Sequence, residues 1–164
     1  ALSVDGDELG SASLPSAASE LRSWRDNRGR QRLGVCLPEE NQILLGTIPE
    51  GSEADWPSFL SRAIGPQIGA GQGILAYPLS FDVGPDGRTF VLDAAAAQVI
   101  VFDSAGRYVT RFGGRGDGPG QFDFGQGIRN IQGNLDFSGS IAVDADGYVY
   151  VADERNARVQ IFAP

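Results

Sequence analysis

Ser80–Phe102, SFDVGPDGRTFVLDAAAAQVIVF, and Ser140–Phe162, SIAVDADGYVYVADERNARVQIF, are two copies of one pattern and superimpose without a gap at an offset of 60 residues (140 − 80). Val83 meets Val143, Asp86-Gly87 meets Asp146-Gly147, Val91 meets Val151, Asp93 meets Asp153, Val99 meets Val159 and Phe102 meets Phe162. A recurring unit of this size builds an array in which each unit covers a neighbour's apolar face, so the repeat decides the fold ahead of any single residue.

Within one unit the pattern is that of a small antiparallel sheet. Strands are expected at 80–83, 88–93, 98–103 and 108–112, separated by the turn Gly84-Pro85-Asp86-Gly87 and the turn Ser104-Ala105-Gly106. Asp-Gly at the tip provides the φ > 0 position of a tight hairpin, and β-branched and aromatic residues fill the flanks. Thr89-Phe90-Val91-Leu92 and Val99-Ile100-Val101-Phe102 are apolar on both pleat faces. They therefore predict a sheet covered on both sides, which a stack of four-stranded sheets around an axis provides.

Outward from the repeat lies Arg111-Phe112-Gly113-Gly114-Arg115-Gly116-Asp117-Gly118-Pro119-Gly120-Gln121-Phe122, and beyond it Ile141-Ala142-Val143-Asp144, Tyr150-Val151-Ala152-Asp153, Asn156 and Arg158-Val159-Gln160. These residues resemble the NHL repeat and the related six-bladed β-propeller proteins of bacterial envelopes, whose blades are joined by a similar Gly-x-Gly-Pro-Gly-[Gln/Glu]-Phe linker. The resemblance covers about 77–164, and Arg62–Gly73 (RAIGPQIGAGQG) reads as a decayed copy of the linker. It implies a blade over 77–122, an insertion over 123–138 and a partial blade over 137–164. It leaves function open, because propellers host lyases, receptors, RNA binders and scaffolds alike.

A six-bladed ring at about 42 residues per blade needs roughly 250 residues, and this chain offers about 110 after its first segment. The expectation is an all-β, incomplete β-propeller of about two to three four-stranded antiparallel blades with an irregular N-terminal segment. Either the chain is part of a longer protein, which its ending where a fourth strand is due favours, or another chain covers the open edges.

The chain has 41% hydrophobic residues and 23 glycines, and no apolar run approaches the roughly 20 residues that span a bilayer, so a soluble, turn-rich chain is expected. There is no His, Lys or Met. Without His the commonest general base, the Ser-His-Asp arrangement and the usual zinc and haem ligands are lacking. The amidating lyases with NHL-like blades depend on metal-binding histidines, and this chain departs from them there. No catalytic, cofactor or metal residue is assigned, and no cofactor is expected.

Other motifs read more plainly as structure. Asp144-Ala145-Asp146-Gly147 opens like a calcium loop but lacks the later ligands, so a hairpin tip is the better reading. Asp93 and Asp153 sit at matched strand ends, where Asp153 can pair with Arg158 or bond the turn backbone. Arg115-Gly116-Asp117, the tripeptide that integrins recognise, falls inside the glycine-rich linker and is read as chain reversal. The lone Cys36 is read as a small buried hydrophobe.

Residues 1–60 are expected to be an irregular arm with possible degenerate first-blade strands, ahead of blades over 61–164. Arg22, Arg25, Arg28, Arg30 and Arg32 place five of the thirteen basic residues beside Trp24. This segment reads either as a solvated strand or as a contact arm for an acidic partner, anionic headgroups or a membrane-embedded complex. Nucleic acid is not expected as a partner, because the net charge of −8 repels phosphate. In the insertion, Ile128, Arg129, Ile131, Leu135 and Phe137 form the second expected contact segment, either folding over their own blade or presenting a sticky edge. The leading expectation is a non-catalytic binding or scaffold protein outside the bacterial cytoplasm, an accessory subunit whose protein partners cap the open blades. The alternatives are part of a propeller enzyme whose catalytic residues lie in other blades, and an RNA-binding propeller.

Overall fold

The computed structural model describes residues 13–48, 60–64 and 73–164. Three antiparallel sheets follow one another along the chain. The first comprises β1 (Glu20–Arg25), β2 (Gln31–Leu37), β3 (Gln42–Thr47) and β4 (Leu60–Ile64). The second comprises β5 (Pro78–Val83), β6 (Thr89–Asp93), β7 (Gln98–Phe102) and β8 (Tyr108–Gly113), and the third β9 (Ser140–Val143), β10 (Val149–Asp153) and β11 (Arg158–Phe162). Strands are paired in sequence order within every sheet, as in propeller blades, and β5 packs against both β1 and β9. The repeat-derived strands of the second and third sheets thus stand within a residue or two of their expected bounds.

The expected irregular arm is a complete four-stranded sheet from residue 20 to residue 64. The expected boundary at residue 60 coincides with the start of β4, which pairs with β3 in this first sheet. Arg62-Ala63-Ile64, the start of the decayed linker, ends β4 as Arg111-Phe112-Gly113 ends β8. Residues 65–72 of that linker and residues 1–12 of the acidic tail lie outside the described residues. The arginines disguise the strand. β1 alternates half-buried and exposed side chains, with Leu21, Ser23 and Arg25 outward and Glu20, Arg22 and Trp24 inward.

Two cores fill the spaces between sheets. Cys36, Ile43, Leu45 and Ile64 of the first sheet meet Phe81, Val91, Ile100 and Phe102 of the second. Leu92 and Val99, on the opposite pleat face of the second sheet, meet Ile141, Val149 and Val151 of the third, with Phe122 and Phe124 from the linker stacked at 5.3 Å beside them. The two-faced burial of β6 and β7 follows from this sandwiching. Gly34 is required by it, since a Cβ there would stand 2.5 Å from Phe81 Cζ.

Neighbouring inner strands are held by side chains in place of a backbone ladder. The Phe81 N–H donates to Glu20 Oε2 (2.8 Å), the Ile141 N–H to Ser80 Oγ (3.1 Å) and the Val143 N–H to Asp82 Oδ2 (2.8 Å). Each pin satisfies a backbone donor that the inner edge of a sheet would otherwise leave unpaired.

Candidate functional site

Three turns lead out of β1, β5 and β9 at one end of the sheets, joined by the turn between β7 and β8. In Asp26–Arg30, Asp103–Arg107 and Asp144–Tyr148 the same device recurs. The leading Asp accepts the N–H groups two and four residues on at 2.8–3.0 Å, and the Gly in the fourth place has φ of 75–87°. A carboxylate that mimics a backbone turn explains both residues. Asp144 is therefore engaged as a turn cap, and its Oδ2 also accepts the Tyr150 hydroxyl at 2.9 Å. Burial pushes its pKa up, but the Tyr150 hydroxyl and the turn N–H groups outweigh this and lower it.

Between these turns lies a cleft of about 700 Å³. Trp24, Arg25, Arg28, Arg30 and Arg32 stand on its first-blade wall, and Asp86, Asp103 and Asp144 on the facing turns. The structure divides the predicted arginines by role. Arg22 is a pin, ion-paired with Glu20 at 2.6 Å and donating to the Phe81 and Ile141 carbonyls at 3.4 Å, so it ties all three sheets together. Arg30 and Arg32 pair with Asp26 at 2.7 and 3.6 Å, and the Arg30 bond leads the contacts that lower the Asp26 pKa. Arg25 donates to the Gly29 carbonyl at 2.9 Å, while the Arg28 guanidinium has no partner among the described residues. Trp24 is half-buried against the first core.

The insertion emerges at the opposite end. Asn130-Ile131-Gln132-Gly133-Asn134 repeats the same five-residue turn with Asn as its cap, and the bridge between Arg129 and Leu135 extends it into a short hairpin. Asp136 anchors the hairpin by accepting the Gln126 and Ile128 N–H groups, and Arg155 pairs with it at 3.1 Å. The Gln126 bond leads the contacts that depress the Asp136 pKa against the opposing pull of burial. Arg129 donates to the Gly133 carbonyl at 2.6 Å and reaches Glu39 of the first blade at 3.7 Å. Of the predicted contact residues here, Ile128 (64% exposed) and Ile131 (97%) face solvent, whereas Leu135 is half-buried and Phe137 lies against Tyr77 at 4.9 Å. The insertion is divided between packing and exposure. Its Phe residues fold onto the blade and its tip stands out. The two predicted contact segments do not form one surface, because they occupy opposite ends of the sheets.

Sequence reasoning missed the reach of the matched aspartates. Asp93 and Asp153 are both fully buried. Asp93 accepts the N–H groups of Ala76, Tyr77 and Ala96, and Asp153 accepts those of Asp123, Asn156 Nδ2, Arg158 Nε and Gln160 Nε2. Arg158 pairs with Asp153 at 2.8 Å and donates to the carbonyls of Asp117, Gly118 and Gln121, clamping the glycine-rich linker. The Arg115 guanidinium is turned inward onto the Gly125 carbonyl at 2.7 Å, so Arg115-Gly116-Asp117 serves chain reversal. Cys36 is fully buried with its Sγ–H on the Pro78 carbonyl, and burial pushes the thiol pKa up to about 12. Among the described residues no group of three or more His, Cys, Asp or Glu is placed to hold a metal ion, and no helix is long and apolar enough to cross a membrane.

Residues 84–129 match a family model described as a 6-bladed beta-propeller, and residues 139–162 match the NHL repeat. No curated protein matches the chain. The two matches cover most of the second blade, the start of the insertion and the three strands of the third blade, and the first blade lies outside both.

Proposed function

We propose that this chain is a non-catalytic binding scaffold, an accessory subunit of a larger assembly outside the bacterial cytoplasm. The observation that carries the reading is the insertion hairpin. An isoleucine 97% exposed at the tip of a hairpin fastened by Asp136, Arg155, Arg129 and Phe137 is an apolar anchor held ready for a partner's pocket. A preorganised apolar tip binds without the ordering cost that a loose loop carries. Val159 and Ile161 on β11, each 62% exposed, offer a further face for a chain that caps the third blade. The matches to propeller families support the binding-scaffold reading, and the extracytoplasmic placement rests on the likeness of the glycine-rich linker to that of envelope propellers. Anionic headgroups are the lesser partner for the arginine segment, since three of its five guanidiniums are paired internally.

The test is a photo-crosslinking residue at position 131 in the native host, with co-purification of Ile128→Asp/Ile131→Asp alongside. Crosslinking to one protein, and loss of that protein from the double variant with an unchanged far-ultraviolet dichroism spectrum, is expected. A variant that retains the partner at parental stoichiometry overturns the reading.

A further inference from the structure

The cleft at the turn end carries all its lining arginines on the first-blade wall, and its internal pairs leave a remainder. Asp26 holds Arg30 and Arg32, Asp86 pairs with Arg88 at 3.1 Å, and Asp103 pairs with Arg107 at 2.8 Å. What is left on the first-blade wall is Arg25, bound only to a neutral carbonyl, and Arg28, without a partner among the described residues. Both border the same concavity, beside Trp24. Two guanidiniums without carboxylates, at the mouth of a cleft in a chain of net charge −8, mark a local site for anions.

The facing wall decides which anion. A phosphate polymer long enough to continue past the two arginines meets the carboxylate of Asp144, which no arginine offsets among the described residues and which repels it. A peptide whose acidic residues are followed by a neutral or basic one satisfies both walls. We propose that this cleft binds an acidic segment of a protein partner, its carboxylates engaged by Arg25 and Arg28 and its chain passing over Trp24 toward the acidic turns. This site is at the opposite end from the insertion hairpin, so the chain bridges two partner segments, and either contact can fail without the other.

The probe is an N-acetylated peptide with two adjacent glutamates and a lysine three residues on, titrated calorimetrically against the whole chain. Arg25→Gln/Arg28→Gln is expected to weaken binding by about ten-fold or more, because charge-assisted bonds to carboxylates are lost. Raising salt from about 50 to about 500 mM weakens the parent complex by screening it. Arg111→Gln, an exposed arginine on β8 outside the cleft, binds as the parent does. Equal affinity for a probe with both glutamates replaced by glutamine, parental affinity in the folded double variant, or no heat at about 1 mM peptide overturns the proposal. Tighter binding of inorganic polyphosphate than of the peptide also overturns it, in favour of a nucleic-acid-like ligand.

Discussion

Replacing Asp153 by Ala tests how far the fold depends on one buried carboxylate. The substitution strips the acceptor from the Asp123 N–H, the Asn156 amide, Arg158 Nε and the Gln160 amide around a fully buried position. The Arg158 side chain is 29% exposed, so water replaces part of its loss, and the Asp123 N–H and the Asn156 amide are part-buried as well. Losing one partner of such a buried pair costs about 3–5 kcal/mol. With a urea slope of about 2 kcal/mol/M, the unfolding midpoint falls by about 2 M. Asp153→Asn keeps the shape and the bond to Asp123 but turns an NH₂ toward three donors, so it falls between parent and Ala. A second readout is local. Arg158 no longer clamps the carbonyls of Asp117, Gly118 and Gln121, and trypsin cleavage after Arg115 accelerates before global unfolding. A midpoint shift below about 0.5 M with unchanged cleavage would refute the reasoning.

Two further outcomes follow from the turns. Ala157 has φ of 51° on an exposed position between β10 and β11, so Ala157→Gly relieves left-handed strain and raises stability by up to about 1 kcal/mol, read as a higher melting temperature. The folded pKa of Asp136 is depressed, so its contribution is present above the unfolded carboxylate pKa and is lost as pH falls through the lower folded value. Amide exchange at Gln126 and Ile128 is expected to speed up over that acid window in the parent and to lose this pH dependence in Asp136→Asn. An Asn variant that titrates like the parent rules out Asp136 as the anchor.

The second and third blades were legible because their copies align without a gap and their turns carry Asp-Gly. The first blade hid the same plan. Its turn is Asp26-Asn27-Arg28-Gly29, with the capping Asp three places before the Gly, and β2 runs to seven residues against five in β6, which breaks a gapless alignment. A trace of the repeat survives in the backbone. Asn41, Ala97 and Ala157, each just before the third strand of its blade, all have φ of 51–53°. The Asp-x-x-Gly spacing, read in place of Asp-Gly, finds the first-blade hairpin, and its Asn form finds the insertion tip. Partner assignment was less legible, because a charged residue on an inner strand looks the same in sequence whether it faces water or a neighbouring sheet. Arg22 was grouped with contact residues for that reason, and only the adjoining strands reveal its internal work, while Phe137 was grouped with them as an apolar loop residue whose cover by Tyr77 the sequence does not display.

The three inner-strand pins all point the same way around the axis, from a side chain of one blade to a main-chain donor of the next. Every residue but proline carries that donor, so a blade dictates the placement of its successor without dictating its composition. Such a one-way rule gives the array a direction of growth and lets each module drift in sequence while its registration is inherited from the module before. It also shows how the 123–138 excursion is tolerated. However far the chain wanders between sheets, Ser80 and Asp82 receive it again at the N–H groups of Ile141 and Val143.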